Sequence, residues 1–373
     1  MRDQILTEVK RVVVKVGSSL LASRASGLQM DRIEQFADEL CAIKGTGRDV
    51  LLVSSGAIVS GVQKLGLSTY PKSLPLKQAA AAVGQSRLMW AYEKAFERLG
   101  VNVAQVLLTH QDLADRRRFL NARHTLSALL NHGVLPVINE NDTVSVEEIR
   151  FGDNDTLAAE VAHLVDADLL IILSDVDGVF TDDPRRNASA SRIPLITEIS
   201  TQIERLAGGT SKEEGTGGMI TKIQAAKKVA AYGVATLIMN GQTPGLLPVA
   251  LKGDDLGTLI LPHGPQLSSR KQWIAHTLRA KGQLSLDEGA IDALVQRGKS
   301  LLPSGIIQVT GTFDPGDAVV CADCHGKEVA KGLINFSSAL LEKIKGLKTA
   351  DIKKSVGDQE YEEAIHRDNL VIL

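Results

Sequence analysis

The chain is poor in cysteine, in aromatic residues and in excess charge of either sign, and each shortage closes off a class of function. Three cysteines among 373 residues cannot build a disulfide framework, and Cys41 has no cysteine near it, so a reducing cytoplasm is the expected compartment. Aromatic residues make up 3 % of the chain, which leaves few side chains for a base-stacking surface. A formal net charge of -2 gives no electrostatic pull toward nucleic acid or an anionic membrane. No apolar run is long enough to span a bilayer, and the opening Met1-Arg-Asp-Gln-Ile-Leu-Thr-Glu8 lacks the hydrophobic stretch of a signal peptide. The eight histidines show no metal-ligand spacing. Cys321-Ala-Asp-Cys324 is a lone C-x-x-C, whereas metal sites use two such pairs or added histidines.

What is present reads as two domains, because 373 residues exceed the size at which one core keeps growing. Arg11-Val-Val-Val-Lys-Val16, Val50-Leu-Leu-Val53, 101–108, 134–138, 169–173 and 234–239 are strand-like runs, apolar nearly throughout. Helical spacing separates them over 28–44 (Asp31 as cap), 75–99 (interrupted at Gly84), 119–131, 156–165 and 219–232. Strands that are apolar on both faces and alternate with helices imply a mainly parallel sheet covered on both sides. The expected fold class is therefore α/β, a three-layer sandwich over residues 1–262. From Leu261 the grammar changes to a linker and then to short strands with Gly and Pro turns near 305–313, 315–321 and 327–333. A small, mostly-β domain is expected over 278–356, followed by a polar helical tail and a possible last strand at Leu370-Val-Ile-Leu373.

Chemistry concentrates between Asn139 and Ala159. Asn139-Glu-Asn-Asp-Thr143 follows an apolar run, and Gly152-Asp-Asn-Asp-Thr156 opens a helix with Thr156 and its neighbours as caps. Two such clusters hold more polar groups than capping needs, and α/β sheets bind ligands at strand ends. Lys15 inside β-branched neighbours is either paired with an anion or turned to water at a sheet edge. Ser54-Ser55-Gly56 combines hydroxyls with helix-start amides, which suits a carboxylate or a simple cap. Ser174 and Asp175 end another strand, and Asp177-Gly178 also reads as a hairpin turn. Gly215-Thr-Gly-Gly-Met-Ile-Thr-Lys222 runs a glycine-rich loop into a helix, a phosphate cradle that departs from the P-loop pattern. Arg116-Arg-Arg118 reads as a solvated face.

Two lysines, amide cradles and a carboxylate-rich loop suggest phosphoryl transfer. No general base stands out. A carboxylate acceptor, ionised at pH 7, needs none, whereas an alcohol or amine more often does.

Taken in order, Val-Val-Lys15-Val-Gly-Ser-Ser, Val-Ser-Ser55-Gly-Ala, Pro-Val-Ile-Asn-Glu-Asn-Asp142, Phe-Gly-Asp-Asn154-Asp155, Leu-Ser174-Asp175-Val-Asp-Gly and Gly-Thr-Gly-Gly-Met-Ile-Thr-Lys222 resemble the bacterial glutamate 5-kinase family, of the amino acid kinase fold. Phe119-Leu-Asn-Ala-Arg123 belongs to the same similarity, and Gly-Thr-Phe-Asp-Pro-Gly-Asp317 with Lys331-Gly-Leu-Ile-Asn-Phe-Ser-Ser338 resembles a PUA domain. The resemblance implies transfer of the ATP γ-phosphoryl group to the γ-carboxylate of L-glutamate, the first step of proline synthesis. It implies Lys15 and Lys222 on the phosphates, with Asp155 orienting both. Ser55, Asp142 and Asn154 would hold glutamate. Ser174, Asp175, Thr216, Gly217, Gly218, Met219, Ile220, Thr221 and Lys222 would line the nucleotide site. ATP with Mg2+, inhibition by proline, a homodimer or homotetramer, and contact with glutamyl phosphate reductase are further implications. Ile220 stands where relatives often carry a small hydroxyl residue, and Arg150 where lysine is common. The rivals are a kinase of the same fold acting on carbamate, aspartate or a nucleoside monophosphate, and an RNA-binding protein using its PUA domain. Residues 280–358 offer neither stacking aromatics nor a dense basic stripe for RNA.

Overall fold

The computed structural model describes residues 2–23, 27–144, 154–208, 218–262, 274, 278–347, 351–352 and 362–373. The chain divides into two compact units, Met1–Gln266 and Leu267–Leu373.

In the first unit the strands are β1 Arg11–Val16, β2 Ala22–Ser23, β3 Gly27–Leu28, β4 Asp49–Ser54, β5 Val103–Leu108, β6 Leu135–Glu140, β7 Leu169–Ser174, β8 Leu195–Ile196, β9 Ala235–Asn240 and β10 Thr258–Ile260. Eight of them form one sheet in the order β5-β6-β4-β1-β7-β9-β10-β8, and β2 pairs with β3 apart from it. From β5 through β9 the pairing is parallel; β10 then runs antiparallel to β9 and parallel to β8. Valine at 12, 13, 14 and 16 favours the pleated conformation, and β1 is central because both its faces are covered. Val12, Val14 and Val16 pack in the core with Phe36, Leu40, Tyr92 and Phe96 from helices Met30–Lys44 and Leu74–Glu97. The period of two puts Val13 and Lys15 on the opposite face, under helix Asn154–Leu164.

Several local expectations change. Helix Met30–Lys44 takes Gln29 as its N-cap, so Asp31 lies in the first turn, where its charge suits the helix dipole. Helix Leu74–Glu97 runs unbroken through Gly84. That glycine marks contact between helices: a Cβ on it would lie 1.8 Å from the Ala57 carbonyl oxygen and 2.6 Å from the Gly61 nitrogen. Helix Arg116–Asn131 starts earlier than its apolar pattern, with Asp115 accepting from the Arg118 amide, and Arg116 to Arg118 are exposed there. Helix Asn154–Leu164 already includes Thr156, which therefore does not cap it. Asp177-Gly178 makes no tight hairpin; the return is the bridge between Phe180 and Arg192, while Gly178 (φ +145°) lies against Thr258. Arg150, Thr216 and Gly217 lie outside the described residues, as does the whole stretch from 145 to 153 that joins the two polar clusters.

The second unit holds β11 Gly282–Leu286, β12 Ile306–Gly311, β13 Ala318–Ala322, β14 Glu328–Leu333 and β15 Leu370–Ile372, in the order β12-β11-β13-β14-β15. Leu284, Leu286, Phe313, Cys321 and Ile365 share its core. β11 escapes a reading that starts the strands at Gly305, because Gln283 and Ser285 dilute its apolar signal. The end strand at Leu370 is present as read, paired with β14. Of the expected helical tail, Asp351 and Ile352 are helical and residues 353–361 lie outside the described residues. Cys321 is buried and Cys324 exposed, both as free thiols, and burial pushes the Cys321 thiol up to about 12.

Candidate active site

Because β6, β4, β1, β7 and β9 are parallel neighbours, their carboxyl ends fall on one edge of the sheet. Glu140, Ser54, Val16, Ser174 and Asn240 mark that edge, where ligands enter open α/β sheets.

Lys15 reaches that edge from inside β1 and is 6 % exposed. Its Nζ lies 2.6 Å from Asp155 Oδ1. Lys222, in the second turn of helix Met219–Ala230, is 7 % exposed and places its Nζ 2.9 Å from Asp155 Oδ2. The Thr221 hydroxyl sits 2.9 Å from the same Oδ2 and 2.8 Å from the Gly218 carbonyl oxygen, so its one proton has two acceptors. Asp155 itself is fully buried. Burial alone would raise its pKa, but the ammonium groups of Lys15 and Lys222 outweigh that and hold it at about 2. The carboxylate is therefore ionised at neutral pH and faces two cations. Within these three described side chains one formal positive charge is left over, an arrangement that an incoming anion would neutralise. The Lys15 ammonium also lies beside the turn after β1, where a Cβ on Gly17 would stand 3.7 Å from it.

Next to this triad lies a cluster of neutral amides. Asn154 donates from Nδ2 toward the Ser54 carbonyl (2.8 Å), the Ser55 hydroxyl (2.9 Å) and Asn139 Oδ1 (2.9 Å). Asn139 in turn donates to Gln85 Oε1 at 2.8 Å and accepts from the Glu140 amide at 2.9 Å. Gly56, at φ +104°, turns the chain from β4 into helix Ala57–Lys64, a left-handed conformation that suits glycine. Below it the Ser54 hydroxyl meets the buried Tyr92 hydroxyl at 2.8 Å.

The structure thus brings Lys15, Asp155, Thr221 and Lys222 into direct contact, and joins Ser55 to Asn154. Asp142 lies half-buried in the turn after β6. Ser174 ends β7 and donates to Asp175 Oδ1 at 3.3 Å, while the exposed Asp175 pairs with Arg185 at 3.3 Å. Gly218 is exposed as the helix N-cap, and Met219 and Ile220 are half-buried in the first turn. Two residues had no role assigned from sequence. Asn139 fell within the polar cluster as part of a loop, because the apolar pattern ends at Ile138, although the strand continues through Glu140. Gln85 lay in a helix with no face marked as functional; its one signal is the adjacent Gly84, whose lack of a side chain lets the helix approach Ala57.

Residues 10–240 match the amino acid kinase family and residues 282–356 the PUA domain. The chain is 50 % identical to a glutamate 5-kinase of Geobacter sulfurreducens and 51 % identical to one of Geobacter metallireducens, each over 373 residues that cover all of both chains. The chain belongs to the glutamate 5-kinases of the amino acid kinase family. Among solved structures, a carbamate kinase from Giardia lamblia bound to AMP-PNP is 20 % identical, with a TM-score of 0.51 over 69 % of this chain and all of the other. That likeness concerns the fold. Among the described residues no helix is long and apolar enough to cross a membrane.

Proposed function

We propose that this chain transfers the γ-phosphoryl group of ATP to the γ-carboxylate of L-glutamate, giving L-glutamyl 5-phosphate and ADP as the first step of proline biosynthesis. The observation that carries the mechanism is the buried carboxylate of Asp155, held between two lysines from different elements. In phosphoryl transfer negative charge spreads over the equatorial oxygens of the moving group, and the protein's task is positioning and charge stabilisation. Lys15 and Lys222 offer that charge at fixed points, with Asp155 and Thr221 fixing them. The acceptor is a carboxylate, ionised at pH 7, so no base is needed to activate it. The two lysines offset the repulsion between it and the phosphates.

In this reading Ser55, Asp142 and Asn154 hold the amino acid, with Asp142 suited to its ammonium group. Ser174, Asp175 and the stretch Thr216 to Lys222 hold the nucleotide. Asp155 is a poor metal ligand, since both its oxygens already meet lysines, and among the described residues no carboxylate or histidine cluster is built for a cation. Mg2+ would accompany ATP, bound chiefly by phosphates and water, to screen their charge.

Proline shares the α-amino and α-carboxylate groups of glutamate, and we place its inhibition at or beside the amino-acid cradle. We further propose a cytoplasmic homodimer or homotetramer that passes its labile acyl phosphate to glutamyl phosphate reductase. The test is ADP release with L-glutamate, L-aspartate, carbamate and UMP in parallel. Turnover with glutamate alone is expected; equal or better turnover with any of the others would overturn the assignment.

A further inference from the structure

Two backbone groups fix the polarity of the amide cluster. The Glu140 N–H can only donate, so the Asn139 atom facing it must be the carbonyl oxygen. The Ser54 carbonyl can only accept, so the Asn154 atom facing it must be the amide nitrogen. Asn139 therefore presents its NH2 to Gln85, and Gln85 must answer with Oε1. What remains at the end of this chain is Gln85 Nε2, a buried N–H donor without a hydrogen-bond partner. Such a group costs free energy unless something accepts from it, and native proteins rarely leave one unmet. Gln85 cannot easily turn away, because Gly84 presses its helix backbone against Ala57 and Gly61.

The sheet order says which end of a substrate lies nearby. β4 separates β1 from β6, so Lys15 and Asn139 start about 10 Å apart, two strand spacings. An amino acid whose reacting carboxylate lies at the lysines extends its α-carbon toward β4 and β6. We propose that Gln85 is a further residue of the amino-acid site, donating from Nε2 to the α-carboxylate of the substrate. This rests on the glutamate-kinase reading above.

Gln85→Glu keeps the acceptor for Asn139 but replaces the donor with a charged acceptor. Gln85→Met removes both. Steady-state kinetics would use L-glutamate and L-isoglutamine, whose γ-carboxylate is intact while an α-carboxamide supplies a donor. For Gln85→Glu, KM for glutamate should rise about tenfold to a hundredfold, with KM for ATP unchanged. The ratio of kcat/KM for isoglutamine over glutamate should rise at least about tenfold. Gln85→Met should raise KM for glutamate without changing that ratio. A Gln85→Glu enzyme with wild-type KM for glutamate, or one that loses both amino acids and ATP equally, would overturn the proposal and leave Gln85 as a brace for Asn139. A wild-type enzyme inert toward glutamate would instead overturn the kinase reading beneath it, before any variant is compared.

Discussion

Replacing Asp155 by asparagine keeps the shape of the triad and removes its only negative charge. Lys15 and Lys222 would then be two buried cations with no counter-ion from Asp155. Removing one member of a buried pair costs about 3–5 kcal/mol, because the charge left behind stays desolvated. The titration of Asp155 gives an independent lower figure. Its folded pKa of about 2 lies below the ordinary 3.8, so on acidification the unfolded chain binds this proton first. The stabilisation is complete above about pH 4, is lost as pH falls toward 2, and amounts to roughly 2 kcal/mol. The expected loss for Asp155→Asn at pH 7 is therefore about 2–5 kcal/mol in urea unfolding. Inorganic phosphate should raise the Tm of the variant more than that of wild type, since the anion replaces the lost charge. Turnover should fall by orders of magnitude. A variant with wild-type stability and turnover within threefold of wild type would show that Asp155 does not hold the lysines.

Three other perturbations test separate links. Gly84→Ala would put a Cβ 1.8 Å from the Ala57 carbonyl oxygen, so helix separation must increase; a loss above about 3 kcal/mol in thermal or urea unfolding is expected, and a neutral result would deny the close crossing. Tyr92→Phe strips the Ser54 hydroxyl of its buried partner and should cost about 1–2 kcal/mol, with a modest rise in KM for glutamate, read from melts and kinetics together. In native protein at pH 8 a thiol reagent should modify Cys324 first and reach Cys321 only on unfolding, because burial pushes that thiol up to about 12; mass spectrometry of early adducts at Cys321 would contradict the packing of β13.

The parallel sheet was legible because its strands are apolar on both faces, a pattern that leaves few alternatives. Lys15 was legible for the opposite reason: a cation inside that pattern demands a partner, and the partner is Asp155. What the sequence could not show is where polar side chains meet across elements. Asn139 and Gln85 are far apart in the chain, and neither breaks a local rule. Gly84 looked like an interruption because helix propensity counts glycine as a cost, yet its position is set by the backbone it touches. Thr156 looked like a cap because the apolar spacing starts late; Asn154 and Asp155, which open the helix, are polar for the sake of the site.

In the proposed reaction the carboxylate oxygen of glutamate attacks phosphorus directly, held by the lysines and not activated by a base. Glutamate labelled with 18O in both γ-carboxylate oxygens, turned over with ATP and trapped with hydroxylamine, reports on this. Direct attack leaves one 18O in the released phosphate and one in the hydroxamate. Phosphate without 18O, at normal hydroxamate yield, would contradict it.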